Sequence, residues 1–437
     1  MSDTHTELRS AVRGRVLLPG DDGFAAATRP WNLAVDQQVP AVVEPADADD
    51  VAALVRYAAR AGVPVTAQPS GHGATAALAG AILLRPARLD ELTVDPATRT
   101  ARIGAGVRWE RVQAEAARHG LTGLPGSSPV VTVTGYTLGG GLSWFGRAHG
   151  WAADSVLAFE VVGADGVRAR VTAADDPELF WALRGGGGDF ALVTALELRL
   201  HPAPELYGGR RLWPARQAAE VLAAFRTITA TAPRELTVWA DLLSFPGAPP
   251  MVAIDATYLG AAAEARDLLA PLDAIGDAIS DTRGPLPLPE LGSITAEPTT
   301  PGPGSSRGEL LTEVDDFTVK TLLSEPIDPL LSVQLRHLGG AFADASDSPH
   351  GALAEPYALY LFGVPDTEGK ATAIRARQQS LVTSLGDRVT GRKPFTYLTA
   401  GETPGAAFTP EVLDRLRALK RDRDPQGVIR SNFPVSS

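Results

Sequence analysis

The chain of 437 residues contains no cysteine. That one absence excludes disulfides, thiolate metal sites, iron–sulfur clusters and cysteine nucleophiles. A net charge of −11 with no dense basic run argues against nucleic acid and anionic membrane surfaces as partners. The longest nearly apolar stretch, Ala76 to Leu84, falls far short of the roughly 20 residues that span a bilayer. The N-terminal MSDTHTELRSAVRGR has basic residues but no apolar h-region. These features describe a cytoplasmic protein, and 44% hydrophobic with 21% charged residues is a globular composition.

Common catalytic signatures are missing too. No strand runs into a G-x-G-x-x-G turn, and Gly141–Arg147 has no P-loop lysine. The histidines at 5, 72, 119, 149, 201, 337 and 350 have no ligand spacing, and H-E-x-x-H is absent, so no metal is expected. Gly304-Ser305-Ser306-Arg307-Gly308 matches G-x-S-x-G. It lies in a Pro-rich stretch rather than on a strand-to-helix turn, so it is no nucleophile elbow.

What is present begins with alternating short strands and helices. Asp47 can cap a helix carrying Val51, Leu54, Val55 and Ala58 on one face, with Gly62 as its stop. Strand Val63–Ala67 follows and runs into a Gly-rich loop, and Ala101, Ile103, Ala105 and Val107 alternate as in a half-buried strand. Asp165-Gly166 between Val156–Val162 and Val167–Val171 marks a hairpin, and Phe190–Leu200 reads as another strand. Past His201-Pro202, helices (Ala215–Thr227, Ala261–Leu272, Lys370–Leu385) mix with β-rich runs (Leu236–Phe245, Met251–Tyr258, Tyr357–Val364). The six prolines between Gly284 and Gly308 suggest a surface excursion or lid outside the core.

Three Gly-rich segments stand out within the first 190 residues. They are Ser70-Gly71-His72-Gly73; Gly126-Ser127-Ser128 running through a β-branched stretch into Gly135 and Gly139-Gly140-Gly141; and Trp181-Ala182-Leu183-Arg184 followed by Gly185 to Gly188. Missing side chains expose backbone N–H groups, which suits a pyrophosphate or the edge of a flat heterocycle. Any one could be an ordinary tight turn; three together favour a large ligand with many hydrogen bonds.

Ser70-Gly71-His72, the run GSSPVVTVTGYTLGGGLSWFGRAHGWAADSV (126–156) and PELFWALRGGGGDFALVT (177–194) resemble the FAD-linked oxidases of the vanillyl-alcohol-oxidase superfamily, in the berberine-bridge-enzyme-like, 6-hydroxynicotine-oxidase-like branch. Arg29-Pro30-Trp31-Asn32, with Pro40 and Pro45, and the C-terminal Asp424-Pro425 and Arg430-Ser431-Asn432 fit the same pattern. The resemblance covers about the first 200 residues and the last 30. It implies an α+β fold: a PCMH-type FAD-binding domain from residues 1–202 plus the returning segment 405–437. A substrate domain, 203–404, would be inserted between them as an antiparallel sheet covered by helices.

The resemblance further implies that His72 bonds covalently to the flavin's 8α-methyl carbon. It places Ser70, Gly71, Gly73, Ala74, Gly126, Ser127, Ser128, Val131, Thr132, Gly135, Gly139, Gly140, Gly141, Ala153, Asp154, Val193 and Asn432 at the cofactor. Many relatives make a second bond through a cysteine; here Ser128 stands at that position, so attachment is through His72 only. Val131 matches the residue whose small size leaves room for oxygen. Gln68-Pro69 replaces an arginine often found near the histidine loop. Candidate bases are Tyr397, in Tyr397-Leu398-Thr399 where relatives have Tyr-x-Asn, Tyr360 and Glu402. A tyrosine of ordinary pKa, near 10, needs a cationic neighbour to act as a base. Arg392 and Lys393 are close in sequence, and Tyr357 and Tyr360 point to opposite faces of one strand. The expected activity is an FAD-dependent oxidase taking hydride from an alcohol, amine or phenolic small molecule, a secondary metabolite, and passing it to O2, as a monomer or homodimer. The alternatives are a natural-product cyclase with FAD but no net oxidation, and an FAD dehydrogenase with another acceptor.

Overall fold

Asp47 begins the first long helix as its sequence suggests. Its carboxylate accepts from the N–H groups of Asp49 and Asp50, Ala48–Ala61 is helical, and Gly62 ends it in the left-handed region at φ 65°. The computed structural model describes residues 2–203 and 205–436. Helix Ala48–Ala61 covers a four-stranded sheet ordered Arg15–Leu17, Val42–Glu44, Ile82–Leu84, Val65–Ala67, the last three strands parallel. A second, antiparallel sheet runs Leu92–Asp95, Thr100–Gly104, Leu192–Arg199, Val156–Val162, Arg168–Val171, with Gly166 at φ 74° in the final hairpin. The C-terminal segment returns to the first sheet: Val65 donates to the Val428 carbonyl at 2.7 Å, and Arg430 donates to the Val65 carbonyl at 2.9 Å.

Residues 207–363 build the largest sheet, all antiparallel, in the order Ser280–Asp281, Tyr207–Pro214, Met251–Tyr258, Leu236–Leu243, Ser332–His337, Tyr357–Gly363, Ser305–Leu311. One face packs helices Ala218–Thr231 and Glu368–Leu385 through Val238, Ile254, Val333, Leu335, Leu359 and their neighbours. The opposite face is polar and aromatic, carrying Trp239, Asp241, Gln334, Arg336 and Tyr360.

The Pro-rich stretch differs from its sequence reading at both ends. Ser305–Leu311 is a strand of the large sheet, because Arg307, Glu309 and Leu311 pair with Leu361, Leu359 and Tyr357. Before it, Leu288, Leu291 and Ile294 are buried beside Trp144 and Trp239. Apolar side chains at a spacing of three let a 3-10 turn, Leu288–Ser293, pack inward despite its prolines.

Candidate active site

The first Gly-rich segment leaves strand Val65–Ala67 in a left-handed turn. Gly71 has φ 86°, and a Cβ there would stand 2.9 Å from Pro30 Cα and Trp31 N. Trp31 donates to the Ser70 carbonyl at 3.1 Å, and its indole stacks on the His72 imidazole with centroids 4.5 Å apart. Ser70 Oγ lies 2.9 Å from His72 Nδ1, while His72 Nε2 is buried without a hydrogen-bond partner. Burial, aided by the charge of Arg108, holds the imidazole pKa down at about 4, so it is neutral at physiological pH. An arginine reaches the loop from a distant strand: Arg85 donates to the carbonyls of Gln68, Ala27 and Arg29.

The three segments close into a ring of contacts. Arg108, felt by His72, pairs with Thr132, and Trp109 donates to the Val131 carbonyl. Thr132 opens helix Val133–Leu138; at its far end Gly187 donates to the Leu138 carbonyl. The Asp189 carboxylate accepts from Ser431 and Val435, and Asn432 Oδ1 accepts from Thr75, returning to the histidine loop. Around this ring Thr66 Oγ1, both side-chain atoms of Gln68, His72 Nε2, Thr134 Oγ1, Thr137 Oγ1 and Ser431 Oγ are buried with no partner among the described residues. Buried polar atoms are rarely left unpaired, so this set fits a polar cofactor.

Several glycines have an internal reason instead. A Cβ at Gly140 or Gly185 would stand 2.7 Å from His350 Cδ2, one at Gly187 2.8 Å from Phe395 Cζ, and one at Gly141 2.5 Å from Tyr136 Cε1. Gly126 and Gly139 face Tyr136 and Thr396, whereas Gly73 has nothing within 4 Å, Gly135 only Thr132 and Gly188 only Leu138. Ser128 is buried, Ala74 follows the histidine loop, and Val193 packs in the core under the second sheet. Ala153 donates to the Gly140 carbonyl, and Asp154 accepts from Ser346 Oγ at 2.8 Å, fastening the 346–348 loop. Ser127 is half-buried in the loop between Gly126 and Ser128.

Above the second and third segments sits the turn Phe395–Tyr397, whose Thr396 and Phe395 side chains contact Gly139 and Gly187. Tyr397 lies flat across Gly308 of the large sheet, where a Cβ would stand 2.5 Å from its Cγ. Its hydroxyl accepts from Arg336 Nη1 at 3.3 Å. Arg336 is held between Trp239 and Tyr360, its guanidinium carbon 4.2 Å and 4.7 Å from the two ring centroids. Tyr360 and Tyr397 are 5.5 Å apart. Tyr357, on the other face, bonds Thr229. Burial raises the pKa of both Tyr360 and Tyr397, and Arg336 opposes that rise. Glu402 is engaged elsewhere, paired with Lys393 and accepting from Thr399 N and Oγ1 at 2.9 Å and 3.1 Å; Lys393 also reaches Glu309.

Arg336, Gln334, Asp241 and Tyr136 were not singled out as site residues from sequence. The signal for the first two was the alternation Ser332, Gln334, Arg336 against Val333, Leu335, which puts the polar residues on one strand face. Tyr136 lies on the helix of the second segment itself, close enough to feel the charges of Arg336 and Tyr397.

With this geometry in place, the FAD binding domain family matches residues 39–172. Over 97% of both chains, the sequence is 28% identical to (R)-6-hydroxynicotine oxidase of Paenarthrobacter nicotinovorans. The fold superposes on 6-hydroxy-D-nicotine oxidase from Arthrobacter nicotinovorans with a TM-score of 0.84, at 23% identity over 96% of this chain and 97% of that one. It superposes equally on the glucooligosaccharide oxidase of Acremonium strictum, TM-score 0.85, 21% identity, covering 99% and 98%. These matches agree with the resemblance of the chain's motifs to the FAD-linked oxidases of the vanillyl-alcohol-oxidase superfamily, in the berberine-bridge-enzyme-like branch. The chain is an FAD-linked oxidoreductase with FAD as its cofactor.

Proposed function

We propose that this oxidoreductase is an oxidase: it removes hydride from a C–H bond of a small alcohol, amine or phenol and passes the electrons to O2, with Tyr397 taking the substrate's proton. Bound FAD would supply the hydride acceptor. The ring of unpartnered polar atoms around His72, Thr134 and Ser431 supports the cofactor's place. The observation that carries the reading is the turn Phe395–Tyr397, which rests on the Gly139 and Gly187 segments and points its tyrosine at Arg336. A buried phenol is a poor proton acceptor; the guanidinium beside it stabilises the phenolate and so lowers the cost of the base form. Tyr360, on the same face and stacked on the same cation, orients Arg336.

His72 is the attachment residue. Its imidazole is neutral, with Nδ1 2.9 Å from Ser70 Oγ and Nε2 buried without a partner among the described residues, so a ring nitrogen with a free lone pair is available for attachment. A structure of glucooligosaccharide oxidase concerns its 6-S-cysteinyl, 8α-N1-histidyl FAD; with no cysteine, the present chain can form only the histidyl link.

The test is anaerobic mixing of the purified holoenzyme with 6-hydroxynicotine and a panel of amines, alcohols and phenols. Loss of the visible flavin band, followed by one peroxide per flavin when oxygen is admitted, is expected. Conversion without loss of the band would identify a cyclase, and reoxidation only by an artificial acceptor would identify a dehydrogenase. Either result overturns the oxidase reading.

A further inference from the structure

Arg336 is a half-buried cation, shielded by aromatic rings, without a counter-ion of its own. Among the described residues no carboxylate lies within ion-pair distance of it. Nearby carboxylates are already committed. Asp255 is held by Arg210 through two bonds of 2.6 Å and 2.7 Å. Asp241 accepts from Ser332 Oγ at 2.7 Å and Gln334 Nε2 at 3.2 Å, with Arg210 at 3.6 Å. Glu297, in the Pro-rich stretch, reaches Arg336 only as a more distant charge. A guanidinium partly withdrawn from water and left without a carboxylate gains from any anion that completes it.

The orientation of that cation is fixed with care. Because Gln334 Nε2 is spent on Asp241, its Oε1 must face Arg336, and it accepts from both Nε at 3.0 Å and Nη2 at 2.7 Å. This occupies the side edge of the guanidinium. Tyr397 takes one N–H of Nη1. Of the five N–H groups an arginine offers, three are thereby used. One on Nη1 and one on Nη2 are left, both beside the tyrosine proposed as base. The rings of Trp239 and Tyr360 lie against the guanidinium, 4.2 Å and 4.7 Å from its carbon, with the Tyr397 ring at 5.8 Å.

We infer that the substrate carries an acidic oxygen, a carboxylate or a phenol or enol held as its anion, that docks on the two free N–H groups of Arg336 and supplies the counter-charge this cation lacks. Asp241 acts through Gln334 as a positioning residue: it sets which end of the amide faces the arginine. This inference rests on the reading of the Tyr397 face as the substrate site, but it requires no turnover.

The holoenzyme is titrated with benzoate and with its neutral isostere benzamide at pH 7, followed by calorimetry and by the flavin's visible spectrum. Benzoate should bind saturably and benzamide at least about tenfold more weakly. Arg336→Met should bind both alike, Arg336→Lys should keep part of the preference, and Gln334→Ala should weaken benzoate binding while leaving benzamide unchanged. Flavin content and melting temperature are measured for each variant. If Arg336→Met fails to fold, the wild-type preference and the Gln334→Ala and Arg336→Lys titrations still decide. No saturable benzoate binding, equal binding of the two probes by the wild type, or an undiminished preference in Arg336→Met would overturn the inference. A cyclase or dehydrogenase with a clear benzoate preference would refute the oxidase reading and leave this one standing; an oxidase with no such preference would do the reverse.

Discussion

Replacing Ser70 with alanine isolates what the histidine loop does for cofactor attachment. The substitution removes one hydrogen bond, 2.9 Å to His72 Nδ1, and leaves the Trp31 stack and the burial of the ring in place. A neutral hydrogen bond of this kind contributes about 0.5–1.5 kcal/mol net. At about 1.4 kcal/mol per tenfold in rate, attachment should slow by a factor of roughly 2 to 13 and still reach the same end point. The pH profile should not change, because burial is the main cause of the depressed His72 pKa. With that pKa at about 4, more than about nine-tenths of the imidazole is neutral at pH 5.5; at the ordinary 6.5 only about one-tenth would be. Apoprotein is incubated with FAD, denatured at intervals, and the fluorescence retained on the polypeptide is measured between pH 8 and 5.5. Wild type and Ser70→Ala should both give flat profiles, Ser70→Ala the slower one, and His72→Ala should retain no colour. The reasoning fails if the wild-type rate at pH 5.5 drops to a tenth of its value at pH 8, or if Ser70→Ala attaches as fast as wild type.

Three further outcomes follow from the same geometry. Gly308→Ala places a methyl 2.5 Å from Tyr397 Cγ and must push the ring off Arg336; flavin content should stay normal while kcat falls about 100-fold, the usual cost of a misplacement of about 1 Å. Tyr397→Phe should lower kcat by about 100- to 10,000-fold. Because burial raises the Tyr397 pKa, its base form grows with pH; kcat/KM should therefore climb on the alkaline side in wild type, and that climb should vanish in the variant. Finally, burial holds His72 and His350 at about 4 and His201 and His337 at about 3, against 6.5 in the unfolded chain. The native state thus binds fewer protons, so stability is full above pH 6.5 and is lost as the pH falls from there toward 4. Asp241, raised to about 7 by burial, works in the opposite direction as a single group. The melting temperature should be level near pH 7–8 and drop steadily below 6.5; an unchanged value at pH 5 would contradict the buried-histidine assignment.

How far the sequence could be read depended on how local the governing interaction is. The Asp47 cap, the Gly62 stop and the Asp165-Gly166 hairpin are settled by a few adjacent residues, and each is found where its chemistry puts it. The Ser305–Leu311 strand was not legible, because prolines just before it masked a segment whose place is set by pairing with Tyr357–Gly363, about 50 residues away. The glycines show the same limit from the other side. Gly140, Gly141, Gly185 and Gly187 are bare because His350, Tyr136 and Phe395 pack on them, and two of those three rings lie far along the chain. A Gly-rich pattern therefore marks close approach without saying whether a ligand or the protein's own side chain approaches. At the proposed base the gap is widest. Tyr397 could be named from its motif, but Arg392 and Lys393, its neighbours in sequence, face elsewhere: Lys393 pairs with Glu309 and Glu402. The cation that reaches the hydroxyl comes from residue 336, brought there because its strand lies beside Tyr360 in the sheet and because Gly308, two strands over, leaves room for the ring. Gly308 closes the G-x-S-x-G match that carries no nucleophile, since Ser306 sits within a strand; the glycine itself is what the site requires, for a reason no motif encodes.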